Sequence, residues 1–274
     1  TDLDEPPVKR NLWSVAMSLD HMLNHKPGLP KHCEVCMRAK TKRKRKFAGS
    51  FARSTIFGFG HIITCDHVLM RDWFKQPGVD GFPDTLNILD IDTRCKYSEP
   101  VDSKDTLDTY TALNHVKGDE IFRNIYADNY SSIRKAAKEL RARFDPSQPG
   151  VHQTNAIIEN CNGDILMGSR SQMCQAGLPA CFWPYASPHY CHMENITQDE
   201  DGNSPWKSRH GEDFKGQALP LGCGVFFVPA PTKYKPSKAA CRMSYGILLG
   251  YRLHPGGKWK GEYLVADLDD FADK

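Results

Sequence analysis

The sequence predicts an α/β protein: a mixed sheet flanked by helices, preceded by a small helical module and followed by a small all-β segment. Three observations carry that reading. The middle of the chain reads β, β, β, α, β, α, α, an order that a mixed sheet with helices on its faces accommodates. Upstream, a short helical pattern runs into Cys33-x-x-Cys36 and then a block of cations. Downstream from Leu219, short apolar strands recur between turn residues, the pattern of a small β-barrel or sandwich.

Taken in order, "LWSVAMSLDHML" is helical, "NHKPGLPKHCEVC" follows, and the cation block ends near Phe47. Strands are expected in "GHIITCDHVLM", "TLNILDID" and "KYSEPVD", with the Pro- and Gly-rich loop "KQPGVDGFPD" between the first two. In "SKDTLDTYTALNHVKG", Leu107, Tyr110 and Leu113 have helical spacing and Gly118 is a stop. "RNIYADNY" is a short strand ending in a turn, and "SSIRKAAKELRARF" a helix that Ser131 or Ser132 could cap. Residues 154–176 read as one long helix, and "PACFWPYASPHYCHM" as a broken, aromatic-rich one. After a polar connection come the strands in "LGCGVFFVPAP", "MSYGILLGYRL" and "GEYLVADL". The expected divisions are 1–47, 55–200 and 215–272.

With 274 residues, 40% of them hydrophobic, the chain can bury more than one core. The formal net charge is only +3, so what matters is where the charge sits. Seven of the nine residues from Arg38 to Lys46 are Lys or Arg. Such a block suits an anionic surface, nucleic acid or an import receptor, and otherwise reads as a solvated linker. Lys40, Lys42, Arg43, Lys44, Arg45 and Lys46 are the candidate DNA-phosphate contacts, which bind without reading sequence. No apolar run approaches the roughly 18 residues of a membrane span, so no membrane role is expected. The chain opens on Thr1 without a leader pattern and reads as a piece of a larger polypeptide. Of ten cysteines only Cys33 and Cys36 are closely paired, which points to buried reduced thiols and one metal site.

In "ITCDHVLM", residues 62–69, Asp66 interrupts a stretch that otherwise reads as a buried strand. Burying that charge is costly unless it finds a partner. Asp128, in "YADNY", falls where the fourth strand ends, and Glu159, in "TNAIIEN", near the start of the long helix. Two strand regions and a helix start can deliver three carboxylates to one point, where divalent cations would offset their repulsion. A pair of such ions can clamp the attacking and leaving oxygens of a phosphoryl transfer. Asp90 and Asp92, in "ILDID", are rival acids on a neighbouring strand. Spacing alone leaves open the plainer reading, in which Asp66 ends a strand and meets water.

The order and wording of these segments resemble the integrase of copia-type retrotransposons, related to retroviral integrases. "ITCDHV" is similar to that family's first catalytic strand, "YADN" to its second aspartate motif and "HQTNAIIEN" to the stretch bearing its glutamate. "QAGLPACFWPYASPHY" resembles the Trp-bearing helix that follows, and "GILLGYRLHPGGKWKGEYLV" the β-domain beyond the core. The likeness covers about residues 20–270. It implies an RNase H-like fold with a five-stranded mixed sheet, in which Asp66, Asp128 and Glu159 hold two Mg²⁺ or Mn²⁺ ions. The implied activity is DNA 3′-end processing followed by strand transfer, without a covalent enzyme intermediate. The implied partners are DNA, as element ends and as target, and further copies of the chain. The implied setting is the nucleus, reached through the cytoplasm, as part of a Pol polyprotein.

Three positions depart from that pattern. Tyr130 stands where the family usually has Gly, Ala156 where it has the Gly of Asn-Gly, and Asn160 where a basic residue follows the glutamate. If position 130 needs a positive φ, a Tyr is strained there. These changes keep an alternative in view: a catalytically decayed remnant acting only as a zinc-containing DNA-binding module. Cys33-x-x-Cys36 is half of a tetrahedral Zn²⁺ site, since two thiolates on one tight turn reach one ion. His21 and His25 stand one helical turn apart, and the four together resemble the His-His-Cys-Cys module that precedes the integrase core. His32, beside Cys33, competes for a place in the set, and an unliganded thiol pair is the plainer reading. A zinc there would order a segment too small to fold alone and position the basic run. Trp259, between Lys258 and Lys260, either stacks on nucleic acid or caps its own small core.

Overall fold

The computed structural model describes residues 11–40, 57–147, 155–229, 237–239 and 241–271. Three short helices open it: α1 (Leu12–Ala16), α2 (Leu19–Asn24) and α3 (Glu34–Lys40). The single helical pattern expected over "LWSVAMSLDHML" is broken in two. Ser18 is the reason: its backbone is extended and its hydroxyl accepts the His21 N–H, so it starts a second helix.

Five strands form one mixed sheet in the order β3-β2-β1-β4-β5: β1 (Ile62–Leu69), β2 (Asp84–Asp90), β3 (Lys96–Val101), β4 (Asn124–Ala127) and β5 (Arg143–Pro146). The first three are an antiparallel meander, whereas β4 runs parallel to β1 and β5 parallel to β4. Parallel neighbours need crossovers, which α4 (Thr106–Lys117) and α5 (Ser131–Glu139) supply. Alternation along the strands sorts their side chains. Ile63, Cys65, Leu86, Ile88, Ile125 and Ala127 form one core with Leu113 and Val116 of α4 and Ile133 and Ala136 of α5. On the opposite face Leu89 packs with Ile158 and Ile165 of α6 (Ala156–Ala176) and Tyr190 of α7 (Trp183–Ile196). Gly168 allows that close approach, because a Cβ there would come within 2.0 Å of the Tyr190 ring.

Beyond α8 (Pro205–His210), strands β6 (Gly224–Phe227), β7 (Ser244–His254) and β8 (Lys258–Asp267) make a three-stranded antiparallel sheet. Among the described residues this sheet occupies the place of the expected small β-barrel. Trp259 lies within its local core, near Phe214, Tyr251 and Tyr263, and its Nε1–H donates to Glu262 O at 2.8 Å. The capping alternative for Trp259 therefore describes its placement.

The outer modules are bonded to the centre. Gln172 Nε2 of α6 donates to Leu23 O at 2.6 Å, and its Oε1 meets His189 Nδ1 at 3.0 Å. His189 Nε2 lies 3.0 Å from Leu219 O, which carries the contact toward the C-terminal sheet. Lys26 and Lys96 share the carboxylates of Asp164 and Glu194.

Several expectations are corrected. The helix expected through Phe144 stops at Glu139, and Arg143–Pro146 is the edge strand β5. Neither Ser131 nor Ser132 caps α5; Tyr130 is the N-cap residue, and the Ser132 hydroxyl is buried. The aromatic helix α7 runs unbroken through Pro188, which stands inside it and removes one helical hydrogen bond, while Pro184 sits in the first turn, where an N–H has no helical partner. Cys174, Cys181 and Cys241 are exposed rather than in the core, and none of the ten cysteines is in a disulfide. Among the described residues no helix is long and apolar enough to cross a membrane.

Candidate functional site

β1 and β4 pair in the register Cys65↔Ala127, so the next residues, Asp66 and Asp128, stand beside each other where the pairing ends. Both follow residues that face the core under α4 and α5, so alternation turns both toward α6. Asp66 is half-buried and Asp128 exposed. Burial raises the Asp66 carboxyl above its ordinary value, and the charge of Asp128 raises it further. Asn162, the His67 backbone and Lys104 act in the opposite direction. A divalent cation would relieve that repulsion.

Glu159 sits exposed in the first turn of α6. Asn162, three residues on, lies on the same helix face, and its Nδ2 donates to Asp66 Oδ2 at 2.9 Å. Glu159 is thus one turn N-terminal to the point where α6 meets Asp66. The oxygens of Asp66, Asp128 and Glu159 do not all close to within 4.8 Å of one another. Tyr130 is not strained: it has φ −83° and its N–H donates to Asp128 O at 2.6 Å. Asn155 is the N-cap residue of α6, with Ala156 opening the helix and Asn160 exposed on it. Asp90 pairs with Ile63 across the sheet, three residues from Asn87, and so lies on the face away from Asp66. Its carboxyl is fully buried and pushed up to about 7 by desolvation. Asp92 instead receives the Phe57 N–H at 3.0 Å.

Three polar residues around the aspartates escaped the sequence reading. Asn87 pairs with Asp66 across β1 and β2 and is fully buried, and its Nδ2 donates to Asn162 Oδ1 at 2.9 Å. The resulting chain, Asn87 to Asn162 to Asp66, fixes one carboxylate oxygen. Ser147, just past β5, donates to Asp128 Oδ1 at 2.5 Å. A signal existed for Asn87: an amide among the apolar residues of "TLNILD", on the parity of Leu89, must find a buried partner. Ser147 offers none, because "ELRARF" carries a helical pattern that hides β5.

The second cluster joins His21, His25, Cys33 and Cys36. Among the described residues it is the only group of three or more His, Cys, Asp or Glu side chains whose ligand atoms all lie within 4.8 Å. His21 Nε2 is 3.5 Å from Cys36 Sγ, and His25 Nδ1 is 3.8 Å from both sulfurs. Zn–S bonds of about 2.3 Å and Zn–N bonds of about 2.0 Å put S and N about 3.5 Å apart around a tetrahedron. The four groups could therefore hold a zinc ion. Local structure sets this up. His21 lies within α2, His25 is its left-handed C-cap at φ 55°, and the Cys36 N–H donates to Cys33 Sγ at 3.4 Å at the start of α3. Burial lowers His25 to about 4, with His21 and Lys40 adding to it, and lowers His21 as well, so both imidazoles are neutral and able to ligate. His32 is outside the group, edge-on to Trp13 with ring centroids 5.3 Å apart.

Of the candidate phosphate contacts, Lys40 is turned inward, its Nζ donating to His25 O at 2.7 Å and Asn24 O at 3.2 Å. Lys42, Arg43, Lys44, Arg45 and Lys46 lie outside the described residues. No protein-family model matches the chain. No curated protein matches it either.

Proposed function

We propose that this chain is the integrase of a copia-type retrotransposon, built on an RNase H-like core. It would catalyse metal-dependent DNA 3′-end processing and strand transfer through Asp66, Asp128 and Glu159. The observation that carries this is that Asp66, within β1, and Asp128, just past β4, stand side by side where the parallel pairing of the two strands ends, facing the helix whose first turn holds Glu159. Two Mg²⁺ or Mn²⁺ ions at these carboxylates would orient the attacking hydroxyl and neutralise charge developing on the leaving oxygen. The protein's own contribution is positional: Asn162 holds Asp66, Ser147 holds Asp128, and α6 presents Glu159 above them. The zinc-type cluster would fix residues 11–40 against α6 and lead the basic run toward DNA, with multimers acting on paired ends in the nucleus.

A second reading is a decayed, non-catalytic remnant that only binds DNA. One observation favours it: Glu159 is exposed and does not close on the two aspartates. The ordinary backbone of Tyr130 removes one argument for it. Strand transfer of a short labelled duplex into plasmid DNA, with Mg²⁺ or Mn²⁺, separates the two. Joining that requires the metal and disappears in Glu159→Gln supports the integrase. Salt-sensitive DNA binding without joining supports the remnant.

A further inference from the structure

We propose that the tip of the β1–β2 hairpin, residues 71–75, is a stacking contact for single-stranded DNA, an inference that rests on the strand-transferase reading above. The hairpin pairing extends one step past the strands, with Met70 N–H donating to Pro83 O at 3.0 Å, while Gly78 N–H to Phe82 O at 2.8 Å closes a separate local turn on the return limb. Its tip is closed by Asp72 N–H to Gln76 O at 3.1 Å, Lys75 N–H to Asp72 O at 3.0 Å, and the Asp72 carboxylate on the Gln76 N–H at 2.8 Å. This fixed turn displays Trp73 and Phe74, 93% and 79% exposed, and Trp73 is the most exposed large hydrophobic among the described residues. A tryptophan held in water contributes almost nothing to the fold.

The surroundings select the occupant. Arg71 and Lys75 flank the rings, are exposed, and have no ion-pair partner among the described residues. Asp72, the acid between them, is engaged by the Gln76 N–H. In the chain the two rings stand between exposed polar residues, Arg71 and Asp72 before them and Lys75 and Gln76 after, so this turn offers two apolar side chains, far fewer than a stable protein interface buries. Cations for phosphates and flat rings for unpaired bases are the combination that holds single strands, since every base has a π-face. A paired duplex hides those faces. The seven residues from Asp66 to Trp73, at about 3.3 Å each, put the tip within about 23 Å of the paired aspartates.

Fluorescence anisotropy of the full chain with labelled oligothymidylate, and with its duplex with oligoadenylate, tests this. Trp73→Leu should weaken single-strand binding about fivefold or more and duplex binding less than about twofold, while Trp73→Phe keeps most of the affinity. Arg71→Ala with Lys75→Ala should reduce the slope of log Kd against log salt by about 1.4 for the single strand. Equal affinity of parent and Trp73→Leu for the single strand overturns the proposal and leaves the strand-transferase reading standing. Altered sedimentation of Trp73→Leu, with DNA binding unchanged, also overturns it, in favour of contact between copies. A parent chain that binds neither DNA overturns both.

Discussion

Replacing Asn162 with Leu keeps the size of the side chain and deletes its amide. Two bonds go: the one to Asp66 Oδ2 at 2.9 Å and the one from Asn87 Nδ2 at 2.9 Å. A hydrogen bond to a charged group contributes ~1.5–3 kcal/mol, and the lower end applies because half-buried Asp66 regains water. Asn87 is fully buried and its Oδ1 already lacks a partner, so its amide would be left with none, at a cost of ~1–3 kcal/mol. The expected loss is about 3 kcal/mol, or about 6–12 °C in melting temperature at this chain length. Urea and thermal unfolding followed by tryptophan fluorescence measure it. Adding Asn87→Leu removes the orphaned amide, so the double variant should recover about 1 kcal/mol of stability. A single variant within about 0.5 kcal/mol of the parent, or a double variant that loses the two effects additively, would refute the hydrogen-bonded chain from Asn87 through Asn162 to Asp66.

Burial holds His192 at about 3 and His189 at about 4, both below the ordinary histidine value. The unfolded chain binds more protons below about pH 6.5, so the stability these residues contribute is complete above that pH and lost as it falls toward 4. His192→Leu removes two unpartnered nitrogens packed among Trp206, Phe214 and Tyr251, and should flatten the melting-temperature profile between pH 6.5 and 4 without a loss at pH 7. An unchanged acid slope would contradict that. Gly168→Ala drives a Cβ into the Tyr190 ring and should cost ~1–3 kcal/mol in urea unfolding, which a parent-like midpoint would disprove. Chelation should release about one zinc per chain and expose residues 11–40 to hydrogen exchange, with the five-stranded sheet still protected. Chain purified without zinc, and indifferent to chelator, would rule out the metal centre.

What could be read in the sequence followed strong local patterns. β1, β2 and β4 announce themselves by apolar residues between turn signals, and α4 ends at Gly118 as its glycine implies. β5 was hidden because α5 stops without a glycine: Arg141 takes the left-handed turn at φ 57°, and the pattern of "ELRARF" runs on as if helical. The adjacency of Asp66 and Asp128 follows from a parallel register that no single segment encodes, and Ser147 joins them only through β5. That His21, His25, Cys33 and Cys36 could share one ion was legible from spacing. The choice between the pair His21 and His25 and the competing His32 was not, because it depends on the left-handed turn at His25 and on the contact that sets His32 against Trp13.

Crystals grown or soaked with Mn²⁺, with anomalous scattering used to place the ion, test the central claim most directly. The account predicts an anomalous peak within coordination distance, about 2.2 Å, of carboxylate oxygens of both Asp66 and Asp128. It also predicts Glu159 drawn toward that peak, and the peak absent in Asp66→Asn. Mn²⁺ that ignores these carboxylates at millimolar concentration, or a peak that survives Asp66→Asn unchanged, would contradict it.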